Sequence, residues 1–215
     1  MLPRLHVALV YNMKKENADE VSNHPRREET GESGVAVASR TKLQETRHDT
    51  YAEWDSEATI LAVKAALAER HSVTMIEATD RAPHLLLEVQ PDIVFNIAEG
   101  LRGPSREAQI PAILEMLGIP YTGSDPVTLG LCLDKARAKE ILSFYKIPTP
   151  EFHVISSLEE LQHSVVAFPS VVKPLHEGSS KGVLNSSIVR TQAELGQQVQ
   201  RVLNDYNEPA LVEKF

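Results

Sequence analysis

The chain has 215 residues, of which 42% are hydrophobic and 24% are charged, enough for one large domain or two small ones. Its net charge of −8 at pH 7 argues against nucleic acid or an anionic membrane as a partner, so any phosphate binding must be local. The single cysteine, Cys132, excludes an internal disulfide framework and is typical of a reducing compartment, so we expect a cytoplasmic protein.

Strands and helices alternate in the first hundred residues. Residues 5–10 (LHVALV) are typical of a central strand, and residues 73–77 and 93–98 are predicted as two further strands. A helix capped by Asp55 and a short helix at residues 85–89 separate these strands. The order predicts an α/β fold with a parallel, Rossmann-like domain over residues 1–124, whose ligands lie at the carboxyl ends of the strands, near Asn12 and Glu99.

A charged segment at residues 13–50 follows the first strand. It shows no hydrophobic periodicity and contains the run NHPRREETGESG. Because it is too long for an ordinary connection, we interpret it as a mobile insertion that is able to act as a lid.

A second, smaller α+β domain is predicted over residues 125–215. Asp134 caps a helix at residues 135–146, and Ser157 with Glu160 and Thr191 with Glu194 form the capping boxes of two more helices. Strands are predicted at residues 152–155, 170–173, 183–189 and 210–215. The buried face of the first helix is predicted to contain Ala138, Ile141, Leu142 and Tyr145.

Residues 169–182 (PSVVKPLHEGSSKG) are the stretch around which this domain is organised. The strand places Lys173 at its end, because Pro174 prevents further regular pairing. The following loop has two glycines that can adopt positive φ, and serine hydroxyls beside free backbone N–H groups, so it can wrap an anion. Its spacing is not that of a Walker A loop, and ordinary turn chemistry is the alternative interpretation.

Five motifs in a fixed order resemble the D-alanine:D-alanine ligase family of ATP-grasp enzymes. They are Tyr-Thr-Gly-Ser at 121–124, Asp-Lys at 134–135, Val-Lys-Pro at 172–174, Glu-Gly-Ser-Ser-x-Gly at 177–182 and Leu-Val-Glu-Lys at 211–214. The resemblance extends over essentially the whole chain outside the insertion. It implies an N-terminal parallel-sheet domain and a central ATP-grasp domain, and we expect the C-terminal domain of such ligases to be missing here.

The resemblance implies that this chain binds ATP. Lys135 and Lys173 are then expected to contact the phosphates, and Glu213 and Lys214 the adenine, Lys214 mainly through its backbone. The loop is then expected to close over the triphosphate through five residues: Glu177, Gly178, Ser179, Ser180 and Gly182. Mg²⁺ is implied as well, with ligands expected in the C-terminal domain and no metal site in this chain. The alternatives are a solvated first-turn lysine for Lys135 and a strand-edge charge for Glu213.

The amino-acid side of the implied site involves Glu53, Glu99 and Ser179. Glu53 resembles the family glutamate that engages the ammonium of the first amino acid, although it is also consistent with an exposed residue before a helix cap. The family's histidine-containing motif is replaced by residues 96–107 (NIAEGLRGPSRE), which leaves Glu99 and Glu107 as candidates to face the substrate. Neither His176, interpreted as structural or solvent-facing, nor Cys132, interpreted as a small buried residue, is assigned a catalytic role.

The reaction implied by the resemblance is ATP-dependent amide formation through an acyl phosphate, as in peptidoglycan biosynthesis. We expect a small amino-acid substrate, a possible homodimer through the N-terminal domain, and no activity from this chain alone. Two other functions stay open: a non-catalytic module that binds nucleotide or amino acid, and an ATP-grasp ligase that joins a different acid and amine.

Overall fold

The computed structural model describes residues 3–14 and 49–215. Most of the predicted insertion therefore lies outside the described residues. Its two ends are attached to the folded chain, since Met13 forms a parallel bridge with Asp55, and the Asp49 carboxylate accepts hydrogen bonds from Gly182 N and from the Tyr206 hydroxyl.

The N-terminal part is a parallel sheet, as predicted. Its strands are β1 (His6–Tyr11), β2 (Ser72–Glu77) and β3 (Ile93–Ile97), in the order β2-β1-β3. Helices α1 (Glu57–Ala68) and α2 (Ala82–Val89) connect them, and α3 (Gln109–Leu117) follows and ends at Gly118 with a φ of 67°. The central strand is apolar along most of its length because it is buried in the middle of the sheet.

The predicted cap of α1 was wrong by one residue. The Ser56 hydroxyl, not the Asp55 carboxylate, accepts from the backbone of Thr59 at 3.2 Å. Asp55 continues the extended backbone instead, and its N–H donates to the Asn12 carbonyl at 3.3 Å. This pairing brings the segment before α1 to the carboxyl end of β1.

The second part is an antiparallel sheet in the order β4-β7-β5-β6, which confirms the predicted α/β fold class. Its elements are α4 (Pro126–Leu133), α5 (Lys135–Phe144), β4 (Phe152–Ile155), α6 (Leu158–His163), β5 (Ser170–Pro174), β6 (Ile188–Val189), α7 (Gln192–Tyr206) and β7 (Ala210–Lys214). Val172 and Val212 of the sheet share a buried cluster with Leu195 and Val199 of α7. The return strand β6 is shorter than predicted because a 3-10 turn occupies Asn185–Ser187.

The buried face predicted for α5 was wrong in part. Ala138 and Leu142 are half-buried, but Ile141 and Tyr145 are exposed, whereas Ala136 and Lys139 are buried. The inner face of the helix thus carries a lysine, which an assignment by hydrophobicity alone does not select. Cys132, predicted to be buried, is exposed. None of the helices in the described ranges is long and apolar enough to span a bilayer.

Candidate functional site

Lys135 contacts the segment that leads from Lys173 of β5 into loop 177–182. Lys135 is the first residue of α5, whose N-terminus is fixed by Asp134, because the Asp134 carboxylate accepts from the backbone of Ala136 and Arg137, each at 3.0 Å. The Lys135 ammonium donates to the Leu175 carbonyl at 3.1 Å and to the Glu177 carbonyl.

The environment of Lys135 is that of an anion-binding group. Burial lowers the pKa of Lys135, and although Glu208 acts in the opposite direction, the neighbouring charge of Lys173 lowers it further. Lys135 therefore lies in a cluster of mixed charge, in which Lys173 is the second cation and Glu208, Glu177 and Glu53 are the carboxylates. Lys135 is not the solvated first-turn lysine of the alternative interpretation.

Glu213 joins two lysines on the inner side of the sheet. Its Oε1 accepts from Lys173 of β5, and its Oε2 lies 3.0 Å from the Nζ of Lys139 of α5. Burial raises the pKa of the Glu213 carboxyl, but the two ammonium groups outweigh burial and hold it below its usual range. Lys139 was missed in the sequence, although it follows Lys135 by four residues and so shares its helix face.

Lys214, the other predicted adenine residue, follows Glu213 as the last residue of β7. Its side chain is exposed, while its N–H donates to the Glu151 carbonyl at 3.0 Å. Among the predicted nucleotide residues, Lys135 therefore contacts the loop. Lys173 pairs with Glu213, and Lys214 is the neighbour of Glu213 on β7.

The loop itself differs from the prediction at one glycine. Positive φ occurs at Ser179 (46°), Ser180 (59°) and Gly182 (74°), and not at Gly178. Gly182 is packed so closely that a Cβ there would lie 2.5 Å from the ring of Pro174. Both serines are exposed, so the turn presents their hydroxyls outward.

A buried ion-pair network, here called the latch, joins this loop to the N-terminal sheet. The latch consists of Glu53, Arg106, Glu177 and Lys181. The Arg106 Nη2 atom donates to the two Glu53 carboxylate oxygens at 2.6 and 2.7 Å and to Glu177 Oε2 at 3.0 Å. Lys181 donates to the same Glu177 oxygen at 2.9 Å.

Backbone groups of the loop complete the latch. The Gly178 N–H donates to Glu53 Oε1 at 2.5 Å, and Arg106 Nη1 donates to the His176 carbonyl at 2.9 Å. The Glu53 side chain is only 5% exposed, so it is not the solvated residue of the alternative interpretation. Arg106 was missed because its partners are 53 and 71 residues away in the sequence.

Glu99 lies at the carboxyl edge of the parallel sheet beside the latch. Burial raises its pKa to about 7, and the charges of Glu107 and Glu53 act in the same direction. Burial also raises the pKa of Glu107, against the opposing charge of Arg106. Glu99 can therefore hold or release a proton near neutral pH, which suits a carboxyl that faces a polar substrate.

His176 has a structural role, as predicted. Its Nδ1 lies 2.9 Å from Glu208 Oε2 and its Nε2 lies 3.5 Å from Asp134 Oδ2. The hydrogen bond to Glu208 raises the pKa of His176 despite its burial. These contacts hold the chain between β5 and the loop against the turn before β7.

A cavity of about 510 Å³ lies beside the latch, between the two sheets. Its lining includes Arg106, Lys181 and Glu208 but not Lys135, Lys173 or Glu213. Lys135, Lys173 and Glu213 thus lie outside this cavity, whereas Glu177 of the loop lines it. Within residues 3–14 and 49–215, no three His, Cys, Asp or Glu side chains form a group able to hold a metal ion.

Sequence comparison identifies relatives of this chain, although no protein-family model matches it. It is 37% identical over 163 residues to an uncharacterized protein, y4sG, of Sinorhizobium fredii, covering 72% of this chain and 47% of that protein. It is 36% identical over 156 residues to a D-alanine--D-alanine ligase of Aquifex aeolicus, covering 72% and 52%. A third relative, the D-alanine--D-alanine ligase of Methylocella silvestris, is 37% identical over 153 residues, covering 71% and 48%.

Solved structures share the fold. A D-alanine--D-alanine ligase from Bacillus anthracis matches with a TM-score of 0.63 at 21% identity, covering 98% of this chain and 57% of that chain. The VanG D-Ala:D-Ser ligase of Enterococcus faecalis matches with a TM-score of 0.59 at 16% identity, covering 99% and 63%. The chain spans about half the length of the curated relatives it matches. Over that length, the sequence relatives and the shared fold confirm the resemblance seen in the motifs, and the chain belongs to the D-alanine:D-alanine ligase-like ATP-grasp family.

Proposed function

We propose that this chain supplies the nucleotide-binding part, and one wall of the amino-acid site, of an ATP-dependent ligase that joins a carboxylate to an amine. The observation that carries the proposal is that the partly buried Lys135 ammonium contacts the Glu177 carbonyl at loop 177–182 and lies near enough to Lys173 for that charge to lower its pKa. A polyphosphate is the ligand best suited to two partly desolvated ammonium groups beside a loop whose two serines, Ser179 and Ser180, are exposed.

The nucleotide roles follow from these positions. Lys135 and Lys173 hold the phosphates, and loop 177–182, through Ser179 and Ser180, closes over them and keeps water out. Glu213 and the backbone carbonyl of Lys214 bind the adenine, since the Lys214 N–H is already paired with the Glu151 carbonyl. Mg²⁺, when bound, neutralises charge on the transferring phosphoryl group, and its ligands come from outside the described residues.

The amino-acid roles belong to Glu53 and Glu99, and Ser179 is the loop residue assigned to touch the substrate. Glu53 already accepts from Arg106 and Gly178, so a substrate ammonium shares this carboxylate with the latch rather than binding it alone. Glu99 is the second candidate to bind the ammonium of the substrate, because a pKa of about 7 leaves part of this side chain ionised at neutral pH.

The proposed ligation has two chemical steps. A carboxylate oxygen of the acid substrate attacks the γ-phosphorus of ATP, which forms an acyl phosphate and releases ADP. The amine of the second substrate then attacks the acyl carbon, and phosphate leaves as the amide forms and the amine loses a proton. The chain contributes positioning and charge neutralisation in both steps.

The proposal includes a division of the molecule. The domains are residues 1–124 and 125–215, and the 215 residues alone are inactive until a further segment or a second polypeptide completes the site. D-alanine as the substrate, a place in peptidoglycan biosynthesis, a cytoplasmic location and a homodimer through the first domain remain predictions.

Isotope transfer tests the reaction. The product of the complete gene is incubated with ATP, Mg²⁺ and D-alanine labelled with ¹⁸O in its carboxylate, and the 215-residue chain is the comparison. An acyl phosphate transfers one ¹⁸O atom to the released phosphate for each amide formed. Released phosphate without ¹⁸O, whose fourth oxygen then comes from water, would contradict the mechanism.

Two other outcomes identify the alternatives. Transfer that occurs with another acid or amine, but not with D-alanine, shows a ligase of different specificity. Nucleotide binding by the complete protein without ADP formation under any substrate shows a binding module.

A further inference from the structure

Lys139 is a buried lysine on the inner face of α5, one turn after Lys135. Its ammonium lies 2.7 Å from Thr149 Oγ1, 3.2 Å from the Pro150 carbonyl and 3.0 Å from Glu213 Oε2. An ammonium group has three N–H donors, so these three acceptors satisfy it fully. The ring of Phe152, centred 5.3 Å away, adds a cation–π contact.

Lys173 contrasts with Lys139 at the same carboxylate. Its side chain is 23% exposed, against 11% for Lys139, and it pairs with the other Glu213 oxygen, Oε1. Lys139 has no donor left for a phosphate, whereas Lys173 is more exposed and lies on the strand that leads into the loop. The two lysines therefore differ in role.

We propose that Lys139 is a positioning residue that anchors Glu213 and, through Glu213, fixes the ammonium of Lys173 for phosphate binding. This inference rests on the proposed nucleotide function. Because both oxygens of the Glu213 carboxylate are paired, the carboxylate cannot rotate without breaking an ion pair. The contact between Oε2 and Lys139 therefore fixes the position of Oε1, and Oε1 in turn fixes the ammonium of Lys173. Thr149 and the Pro150 carbonyl hold Lys139 itself in place.

A simpler explanation is that Lys139 only adds positive charge near the phosphates. The two explanations differ in a double-mutant cycle. Charge alone weakens ATP binding whether or not Glu213 is present, whereas positioning through Glu213 has no further effect once Glu213 is replaced.

The first test measures ATP affinity by calorimetry for the wild-type chain, Lys139→Met, Glu213→Gln and the double variant. We expect Lys139→Met to weaken binding roughly 10-fold, equal to about 1.4 kcal/mol, and to add less than about twofold in the Glu213→Gln background. Arg137→Gln, on the exposed side of the same helix, is the control for loss of a charge and is expected to change little. Equal weakening in both backgrounds, or no effect of Lys139→Met, would overturn the proposal.

A second variant keeps every charge and preserves the test if Lys139→Met fails to fold. Thr149→Val removes one acceptor from Lys139, so positioning predicts about two- to fourfold weaker ATP binding, within the usual effect of one hydrogen bond. Unchanged affinity in a folded Thr149→Val protein would count against positioning, since bulk charge is the same.

A third measurement does not depend on nucleotide. NMR titration of the ¹³C-labelled Glu213 carboxyl should show a higher pKa in Lys139→Met than in the wild type, because one of its two cations is gone. An unchanged titration would refute the anchoring. Absence of ATP binding in the wild type would instead refute the proposed function, so the two failures are distinguishable.

Discussion

Replacement of Arg106 by Met tests the latch most severely. The Arg106 side chain is 7% exposed and makes four hydrogen bonds, to Glu53, Glu177 and the His176 carbonyl. Without the guanidinium, the buried Glu53 carboxylate keeps the Gly178 N–H and the Lys181 ammonium, whose Nζ lies 4.0 Å from Glu53 Oε2, but loses the cation that contacts both of its oxygens. Breaking such a buried pair typically costs about 3–5 kcal/mol, and we expect a loss of this size in the free energy of unfolding.

Urea unfolding of Arg106→Met, Glu53→Gln and the double variant measures this effect. The double variant removes both charges, so it should be less unstable than the sum of the single variants by about 1–3 kcal/mol. Arg137→Met is the control, because the Arg137–Glu140 pair is 64% and 52% exposed and contributes at most about 1 kcal/mol. A loss below about 1 kcal/mol in Arg106→Met, or strictly additive single effects, would refute the account of the latch.

Three smaller predictions concern pH, backbone strain and exposure. The folded-state pKa of Glu99 is raised from 4.5 to about 7, so its contribution to stability is present below about 4.5 and lost as pH rises through 7. Urea unfolding of Glu99→Gln should show a gain of about 1–2 kcal/mol relative to the wild type between pH 5 and pH 8 after allowance for solvent screening, and no change in this difference with pH would contradict the raised pKa. Gly182→Ala should lower the free energy of unfolding by about 1–3 kcal/mol, because the added Cβ has no room. Gly196→Ala should raise the free energy of unfolding slightly, because the space around Gly196 is open. Equal effects of the two substitutions would contradict the close packing at Gly182. The Cys132 thiol should react with a thiol reagent in the folded protein, and protection until unfolding would contradict its exposure.

The parallel sheet was predictable because its information is local. Apolar runs of strand length, separated by helical periodicity, determine the elements, and the chain geometry then favours parallel pairing. The Asp134 cap and the loop after Lys173 were found for the same reason, since each depends on residues adjacent in sequence.

The errors occurred where distant residues decide the outcome. Lys139 of α5 is buried because it pairs with Glu213 of β7, which is far from it in the sequence. A prediction from hydrophobic periodicity does not assign a lysine to the buried face of a helix. Arg106, Glu53 and Glu177 come from three separate segments of the chain and meet only in the folded protein. The sequence therefore contains no indication of the role of Arg106 beyond its position near Glu99. The shape of loop 177–182 was inferred from its glycines, yet its two serines adopt positive φ because the turn closes on tertiary contacts.

Calorimetric titration of ATP into the 215-residue chain and its Lys173→Met variant tests the central claim most directly. We predict a single site in the wild type and at least about tenfold weaker binding in the variant, since Lys173 contributes a charge-assisted contact to the phosphates. Absence of binding to the folded wild-type chain, or equal affinity in the two proteins, would contradict the assignment of this site to a nucleotide.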